Sequence, residues 1–573
     1  MSALGALNEV IAPLMPHLML APILLPLLTA ALMLLMGEHQ QRAKLMLNMA
    51  STLLGLGVSV ALLGWANQQG PASTMDVYLA GNWPAPFGIA LALDRLSAMM
   101  LVLTSAIALA SSVFAGARWH RAGVHFHPLF QLQLMGLCGT FLTADLFNLF
   151  VFFEVMLAAS YGLLLHGSGR VRVQSGLHFI AINLAASSLF LIGASMLYGI
   201  TGTLNMADLA QSIPEVLEAD RGLLHAAAGI LATAFLIKAA VWPLNFWLVP
   251  AYSAATAPVG ALFGLMTKVG IYVILRLWLL LFGVDAGASA QFGSLWLIGG
   301  GLLTMAFGAI GMLGSQRLGY LAGYGAIVSS GTLLAAAGFG QPQLTAGLLY
   351  YLPSSTLAIS ALFLMADLMD RWRNDGASLA PYEQDDTPFL TAELMPVKGL
   401  NLDDDEEVLT GRVIPAAVAL LGLGFMACTL VIAGLPPLSG FVGKFAMLTA
   451  LLNPSGLGLS ASQPPEAAGW MLLALLIGTG LLALIALTRA GILHFWATYD
   501  RAAPKLRVLE GLPIAFLLGA CAVMTLQAGP VMGYMQATAD ALHTPRLYVR
   551  AVMSARPIPG PQAPRVDSAQ EAP

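Results

Sequence analysis

Between Trp470 and Leu487 the chain reads WMLLALLIGTGLLALIAL, eighteen residues without a charge. As a helix this stretch is about 27 Å long, close to the thickness of a bilayer's hydrocarbon core. A membrane β-strand needs only about 10 residues, in strict alternation of lipid-facing and inward-facing positions. No such alternation is present, so the stretch reads as a transmembrane helix. A second example, Leu91–Phe114, is longer still. The 573 residues are 58% hydrophobic and 9% charged, with mean hydropathy +0.80, whereas a soluble chain carries about 25% charge. Most of the backbone must therefore lie in hydrocarbon and satisfy its own hydrogen bonds, which implies an all-α, multi-pass integral membrane protein.

Hydropathy places about fourteen spans, near 10–37, 43–66, 91–116, 128–144, 146–166, 175–202, 222–250, 254–282, 292–314, 318–339, 343–370, 413–451, 470–498 and 511–537. No charged segment precedes the first apolar run, so it reads as a full span and not as a cleavable signal. Two spans are long for one crossing and contain proline, Pro243 in the seventh and Pro436-Pro437 in the twelfth. Proline removes a backbone donor and clashes with the preceding turn, so both helices are expected to break at membrane depth. Interrupted helices in corresponding positions of two halves point to inverted repeats with an ion site between them.

Basic residues follow the odd-numbered spans: Arg42 and Lys44, Arg118 and Arg121, Arg170 and Arg172, Arg317, Arg371 and Arg373, then Arg501, Lys505 and Arg507. The alternate loops are nearly bare of them, which places the N-terminus outside. The tail departs from this rule, because Arg546, Arg550, Arg556 and Arg565 follow an even-numbered span. The long insertion 374–412, with Asp385-Asp386 and Asp403 to Glu407, has the composition of a solvated cytoplasmic linker.

Cys138, Cys428 and Cys521 are far apart and in apolar surroundings, so they read as small core residues. His120, His125 and His127 crowd one loop and read as an interfacial polar cluster. Nothing in the sequence has the spacing of a metal, haem, iron–sulfur or nucleotide-phosphate site. No cofactor, metal or nucleic-acid partner is expected, and the chain reads as a transporter component, not an enzyme.

Function is legible in the buried charge. Glu154, Lys238, Lys268 and Lys444 all fall inside spans, away from their ends. Each centred charge costs about 2.5–3.5 kcal/mol on insertion scales, a cost retained where charges pair or line a wet path. Three lysines cannot all be neutralised by one acid. Desolvation disfavours the charged form of an amine, so such a row reads as a proton relay. Asp94, Arg95 and Arg276, near span ends, read as structural pairs, and Asp145 sits at a turn where either reading is open.

At these residues the chain resembles a known family. Asp145 to Tyr161 (DLFNLFVFFEVMLAASY), Ile237 to Pro243 (IKAAVWP) and Thr267 to Tyr272 (TKVGIY) are similar to the antiporter-like subunits shared by respiratory complex I and Mrp-type cation/proton antiporters. Gly434 to Phe445 (GLPPLSGFVGKF), Ala486 to Gly491 and Gln527 to Thr538 look like the D-type subunit of the Mrp antiporters. The resemblance implies five-helix inverted repeats over 128–282 and 292–498, three preceding helices over 1–127, a last helix over 511–537 and a polar tail over 538–573. It further implies a Glu154–Lys238 pair, a proton path continuing through Lys268 and Lys444, and partner subunits in an inner-membrane complex that exchanges cytoplasmic sodium or potassium for external protons. Relatives carry a histidine where this chain has Ser354, and some carry histidines in the tenth span, where Tyr324, Ser329 and Ser330 stand. Ordered water between hydroxyls is the expected substitute. The alternatives are a proton-pumping subunit of a redox-driven membrane arm and a non-conducting scaffold. The lysine at 444, where complex I subunits of the nearest type usually carry glutamate, disfavours the first, and uncompensated mid-span charge disfavours the second.

Overall fold

The computed structural model describes residues 15–68, 75–119, 123–167, 169–377, 416–453, 466–496 and 506–557. Most of the acidic insertion, together with His120, Arg121, Arg501, Lys505 and Arg565, lies outside the described residues. The chain is a helical bundle. Its crossings are α1 (Ala21–Leu35), α2 (Gln41–Gln68), α3 (Arg95–Ala117), α4 (Phe126–Leu142), α5 (Leu146–Leu164) and α6 (Arg170–Thr201). They continue as α7a (Glu218–Lys238) with α7b (Leu248–Ala254), α8 (Ala257–Leu281), α9 (Ser294–Gly314), α10 (Leu318–Gly338) and α11 (Pro342–Ala377). The last are α12a (Ala416–Ala433) with α12b (Ser439–Leu452), α13 (Ala467–Gly491), and α14a (Val508–Leu526) with α14b (Ala528–Leu542). A terminal helix, α15 (Pro545–Met553), follows. Among the described residues 12 helices are long and apolar enough to span a membrane. The shorter α1 and α4 bring the crossings to fourteen.

Counted along the chain, α4 to α8 are five crossings and α9 to α13 the next five. Five is odd, so the second set runs through the membrane in the opposite sense to the first, as inverted repeats require. The seventh and twelfth crossings break where proline predicts. Residues 239–247 separate α7a from α7b, and Trp242 N donates to Thr304 Oγ1 of α9 at 2.9 Å. Residues 434–438 separate α12a from α12b.

Three spans differ from the sequence reading. The first, expected over 10–37, is the helix Ala21–Leu35 with a separate short helix, Met15–Leu18, before it. Ala90–Asp94, of which 91–94 are expected inside the third span, is strand β2, paired antiparallel with β1 (Met75–Leu79) so that Met75 meets Asp94. The helix starts only at Arg95, because Asp94 caps it: Asp94 Oδ1 accepts from Ser97 N at 2.9 Å and Ser97 Oγ accepts from Asp94 N at 2.9 Å. The last crossing extends beyond 511–537 and is interrupted at Gln527. Pro530 cannot supply an N–H to the carbonyl four residues earlier.

Helices α8, α10 and α11 are enclosed by their neighbours along almost their whole length, and α3 nearly so, whereas α2, α13 and α14a show most of their surface to the outside. The lysine-bearing helix α8 is thus at the centre. One face of the bundle carries the β-hairpin, the loops after α6 and α8, and α15; we call it the hairpin face. Here Arg546 pairs with Asp285 at 3.1 Å, so the basic tail that broke the charge rule packs against an acidic loop. On the opposite face Arg371 of α11 bridges Asp367 at 3.1 Å and the buried Glu510 of α14a at 2.8 Å, tying α14 to the core.

Candidate functional site

Lys268 lies halfway along α8 with no solvent exposure. Its Nζ donates to Ser330 Oγ at 3.2 Å and to Ala326 O at 3.4 Å, both one turn apart on α10. The preceding residue, Ser329, points the other way, toward α11, and its hydroxyl meets that of Ser355 at 2.8 Å. The Tyr351 hydroxyl faces Ser329, Thr332 and Ser355. One residue before Ser355, the Ser354 hydroxyl meets Ser439 Oγ, at the start of α12b, at 2.7 Å. Five residues on stands Lys444. The interior between the two lysines is therefore a file of hydroxyls from three helices, made of separate contacts: Ser330 with Lys268, Ser329 with Ser355, and Ser354 with Ser439.

Lys444 Nζ donates to Ala433 O at 2.9 Å and Ile432 O at 3.4 Å, the free carbonyls at the end of α12a. The break exposes these acceptors, since the last carbonyls of a helix have no intrahelical partner and carry partial negative charge. Two glycines make the approach possible. Gly434 has φ +78°, a left-handed turn that ends α12a, and a Cβ there would be 2.4 Å from the Lys444 chain. A Cβ on Gly480 of α13 would lie 2.6 Å from Ala433 O and 3.3 Å from Lys444 Nζ.

Lys238 is the last residue of α7a and is buried. Its Nζ stands 4.9 Å from the centroid of the Phe153 ring and has no hydrogen-bond partner among the described residues. Glu154, half-buried on α5, accepts instead from Ser187 Oγ of α6. The direct Glu154–Lys238 pair implied by the family resemblance is not formed in this conformation. An aromatic layer of Phe153, Phe190 and Phe235 fills the space among α5, α6 and α7a.

The supporting residues divide. Pro243, Pro436 and Pro437 lie in the two breaks. Asp145 caps α5, accepting from Asn148 N at 2.8 Å on the hairpin face, remote from the lysines. Tyr324 turns toward α9, its ring 6.3 Å from Phe307 and close to Gly311, so it does not join the hydroxyl file. Sequence reasoning did not single out Ser187, Thr304, Tyr351 or Gly480. The three polar ones are single hydroxyls in apolar helices, and only three-dimensional proximity distinguishes them from helix-packing residues.

On the opposite face from the hairpin, the segment joining α7a to α8 holds four buried polar atoms without a hydrogen-bond partner among the described residues: Asn245 Nδ2, Trp247 Nε1, Tyr252 OH and Thr256 Oγ1. Buried polar groups without protein partners are where ordered water binds. Among the described residues no cluster of His, Cys, Asp and Glu could hold a metal ion. The three cysteines are buried and unpaired.

The family described as "NADH:quinone oxidoreductase/Mrp antiporter, TM" matches residues 143–384. A protein of Rhizobium meliloti, named as the D subunit of a probable K(+)/H(+) antiporter, is 52% identical over 94% of this chain and 98% of its own length. The D subunit of the Na(+)/H(+) antiporter of Alkalihalophilus pseudofirmus is 32% identical over 94% and 100%. Among solved structures, a chain of the Mrp complex from Dietzia sp. DQ12-45-1b superposes with TM-score 0.76 at 24% identity, covering 94% of this chain and 99% of that one. A chain of respiratory complex I from Thermus thermophilus gives TM-score 0.70 at 21% identity, covering 92% and 99%. At these identities the structures speak for the fold alone.

Proposed function

Because this chain belongs to the family of D-type subunits of cation/proton antiporters, we propose that it is the proton-translocating subunit of a multisubunit secondary antiporter, moving protons along Glu154, Lys238, Lys268 and Lys444 in exchange for a monovalent cation. The observation that carries this reading is the hydroxyl file between Lys268 and Lys444, which puts groups able both to donate and to accept a proton between two buried amines. In the proposed cycle, protons reach Lys238 and Lys268 through water held by Asn245, Trp247, Tyr252 and Thr256. They then step through Ser330, Ser329, Ser355, Tyr351, Ser354 and Ser439 to Lys444. Movement of Lys238 between the Phe153 face and Glu154 changes the charge felt by Lys268 and so gates the transfer. We place the hairpin face outside, following the distribution of basic residues, in the cytoplasmic membrane of the cell. The remaining subunits of the complex supply the rest of the machinery.

Potassium and sodium are the candidate cations, since the relatives at 52% and 32% identity are named for one and the other. The test is dye-monitored antiport in inverted vesicles carrying the whole complex, with each cation in turn. Lys444→Ala is expected to abolish exchange with the complex intact on a native gel. Lys444→Arg should not restore it, because guanidinium does not release its proton at accessible pH. Full activity with arginine would reduce Lys444 to a fixed charge and defeat the relay.

A further inference from the structure

Lys268, Tyr272 and Arg276 are one turn apart from each other on the same side of α8, a polar stripe running from the centre of the bundle to its hairpin face. All three are buried. The distance along the helix from Lys268 to Arg276 is only about 12 Å. The stripe ends at a cavity of about 30 Å³ lined by Asp94, Arg95, Arg276, Thr538 and Tyr548, large enough for a water molecule. Arg276 Nη2 also donates to the Tyr272 hydroxyl at 3.4 Å, so the one link of the stripe without a hydrogen bond is that between Tyr272 and Lys268, whose amine is bonded to α10, and a proton that crossed it would be on a short polar route to the hairpin face. An exchanger that let protons leave this way would dissipate the gradient without moving a cation.

Three contacts close the route. The Tyr272 hydroxyl is committed as a donor to Phe141 O at 2.7 Å, and its ring packs edge-on against Phe141. Arg276 grips Asp94 with both terminal nitrogens, Nη1 to Oδ2 at 2.5 Å and Nη2 to Oδ1 at 2.7 Å. The guanidinium is held between the rings of Tyr272 and Tyr548, at 5.6 and 5.4 Å. Tyr548 belongs to α15, so the terminal helix is the lid over this arrangement. Guanidinium is the one cationic side chain that cannot pass a proton on, and its geometry matches a carboxylate held by two bonds.

We propose that Arg276, clamped by Asp94 and covered by Tyr548, is a proton barrier that blocks escape from Lys268 to the hairpin face and directs its proton toward Lys444. The proposal rests on the reading of Lys268 as a relay residue. It goes beyond a structural salt bridge, because it requires that the barrier be a group without a transferable proton.

Arginine and lysine are separable on this point. Arg276→Lys keeps the charge opposite Asp94, and thus the fold, but installs an amine that exchanges protons. Vesicles with matched amounts of assembled complex are loaded with a pH gradient in choline buffer free of sodium and potassium, and its decay is followed. Arg276→Lys is expected to collapse the gradient several-fold faster than wild type, and so is Tyr548→Ala, which uncovers the pair without altering it. Wild-type decay in both variants, with the complex assembled, would overturn the barrier. Lys268→Ala combined with Arg276→Lys is expected to return decay to the wild-type rate. Persistence of the leak in that combination would overturn the claim that the barrier acts on the Lys268 proton. Loss of antiport in Lys268→Ala alone tests the relay reading separately, whatever the leak does.

Discussion

Ser330→Ala is the sharpest probe of the hydroxyl file. Lys268 Nζ has two acceptors, Ser330 Oγ at 3.2 Å and Ala326 O at 3.4 Å. Only the first can accept a hydrogen bond and also donate one onward; a carbonyl can do no more than accept. A hydrogen bond to a charged group contributes about 1.5–3 kcal/mol, and 3.2 Å is at the long end of the usual range. Taking the lower figure, about 1.5 kcal/mol, transfer through Lys268 should slow roughly tenfold. The change removes a single oxygen from a buried site, so the complex should still assemble. Cation-driven proton movement in inverted vesicles, normalised to complex on a native gel, measures the effect, and Ser330→Thr should keep most of the activity. Wild-type antiport in the alanine variant would refute the route through α10. Equal losses in alanine and threonine would show that Ser330 serves packing alone.

Gly480→Ala should displace Lys444 from its carbonyl seat, since the new Cβ would lie 2.6 Å from Ala433 O; overpacking of this kind costs about 1–3 kcal/mol. Antiport should fall roughly tenfold with insertion preserved, and unchanged activity would show that the seat is not needed. Glu154→Gln and Lys238→Ala should each eliminate antiport, with the double variant no worse than either, as for residues acting as one unit; recovered transport in the double variant would instead indicate a structural pair. His543 caps α14b, bonds Thr345 of α11 at 2.9 Å, and is pushed down from 6.5 to about 4 by burial. Its unprotonated form is the one the fold favours, so its stabilisation, up to about 3 kcal/mol, is complete above pH 6.5 and is lost as pH falls toward 4. The protection of residues 538–553 against hydrogen exchange in the purified protein, corrected for the intrinsic pH dependence of amide exchange, should therefore fall over that interval. His543→Gln should flatten the dependence, and an unchanged profile would assign the acid sensitivity elsewhere.

Much of the fold is legible in the sequence because lipid makes one demand on every residue of a span. Trp470–Leu487 can satisfy its backbone only as a helix, and Pro243 and Pro436-Pro437 cannot continue one. The hairpin is not legible. Leu91–Leu93 is apolar whether it begins a helix or pairs as β2, and only the Asp94 and Ser97 capping bonds show where the helix starts. Within the site, lysines in hydrocarbon announce themselves, whereas serines do not. Ser329 and Ser330 stand where some relatives have histidines, yet nothing in a linear pattern says that one faces α11 and the other α8. Tyr324, which draws attention for the same reason, is turned toward α9 by the helical periodicity that brings Ser330 to Lys268. For Asp145 the sequence allows either pairing or function, and the carboxylate is engaged by the cap of α5.

The separation of Glu154 from Lys238 is informative in energetic terms. A centred lysine costs about 2.5–3.5 kcal/mol, while a ring face such as that of Phe153 returns about 0.5–2 kcal/mol. The ammonium in this conformation is therefore incompletely compensated, and Glu154 accepts its hydrogen bond from Ser187 instead. A contact that repaid the whole cost would fix the lysine in one place, as the Asp94 clamp fixes Arg276. In the proposed cycle, a contact that repays only part of it leaves the lysine a second position, on Glu154, toward which a neighbouring charge can bias it. The two basic residues thus illustrate opposite solutions in one bundle. Arg276 is gripped by two hydrogen bonds and cannot release its proton, whereas Lys238 has no hydrogen-bond partner among the described residues and is chemically able to release one. On the proposed cycle a movable, exchangeable charge belongs at Lys238, as a gate requires, and a fixed one at Arg276, where the proposed pathway must be closed.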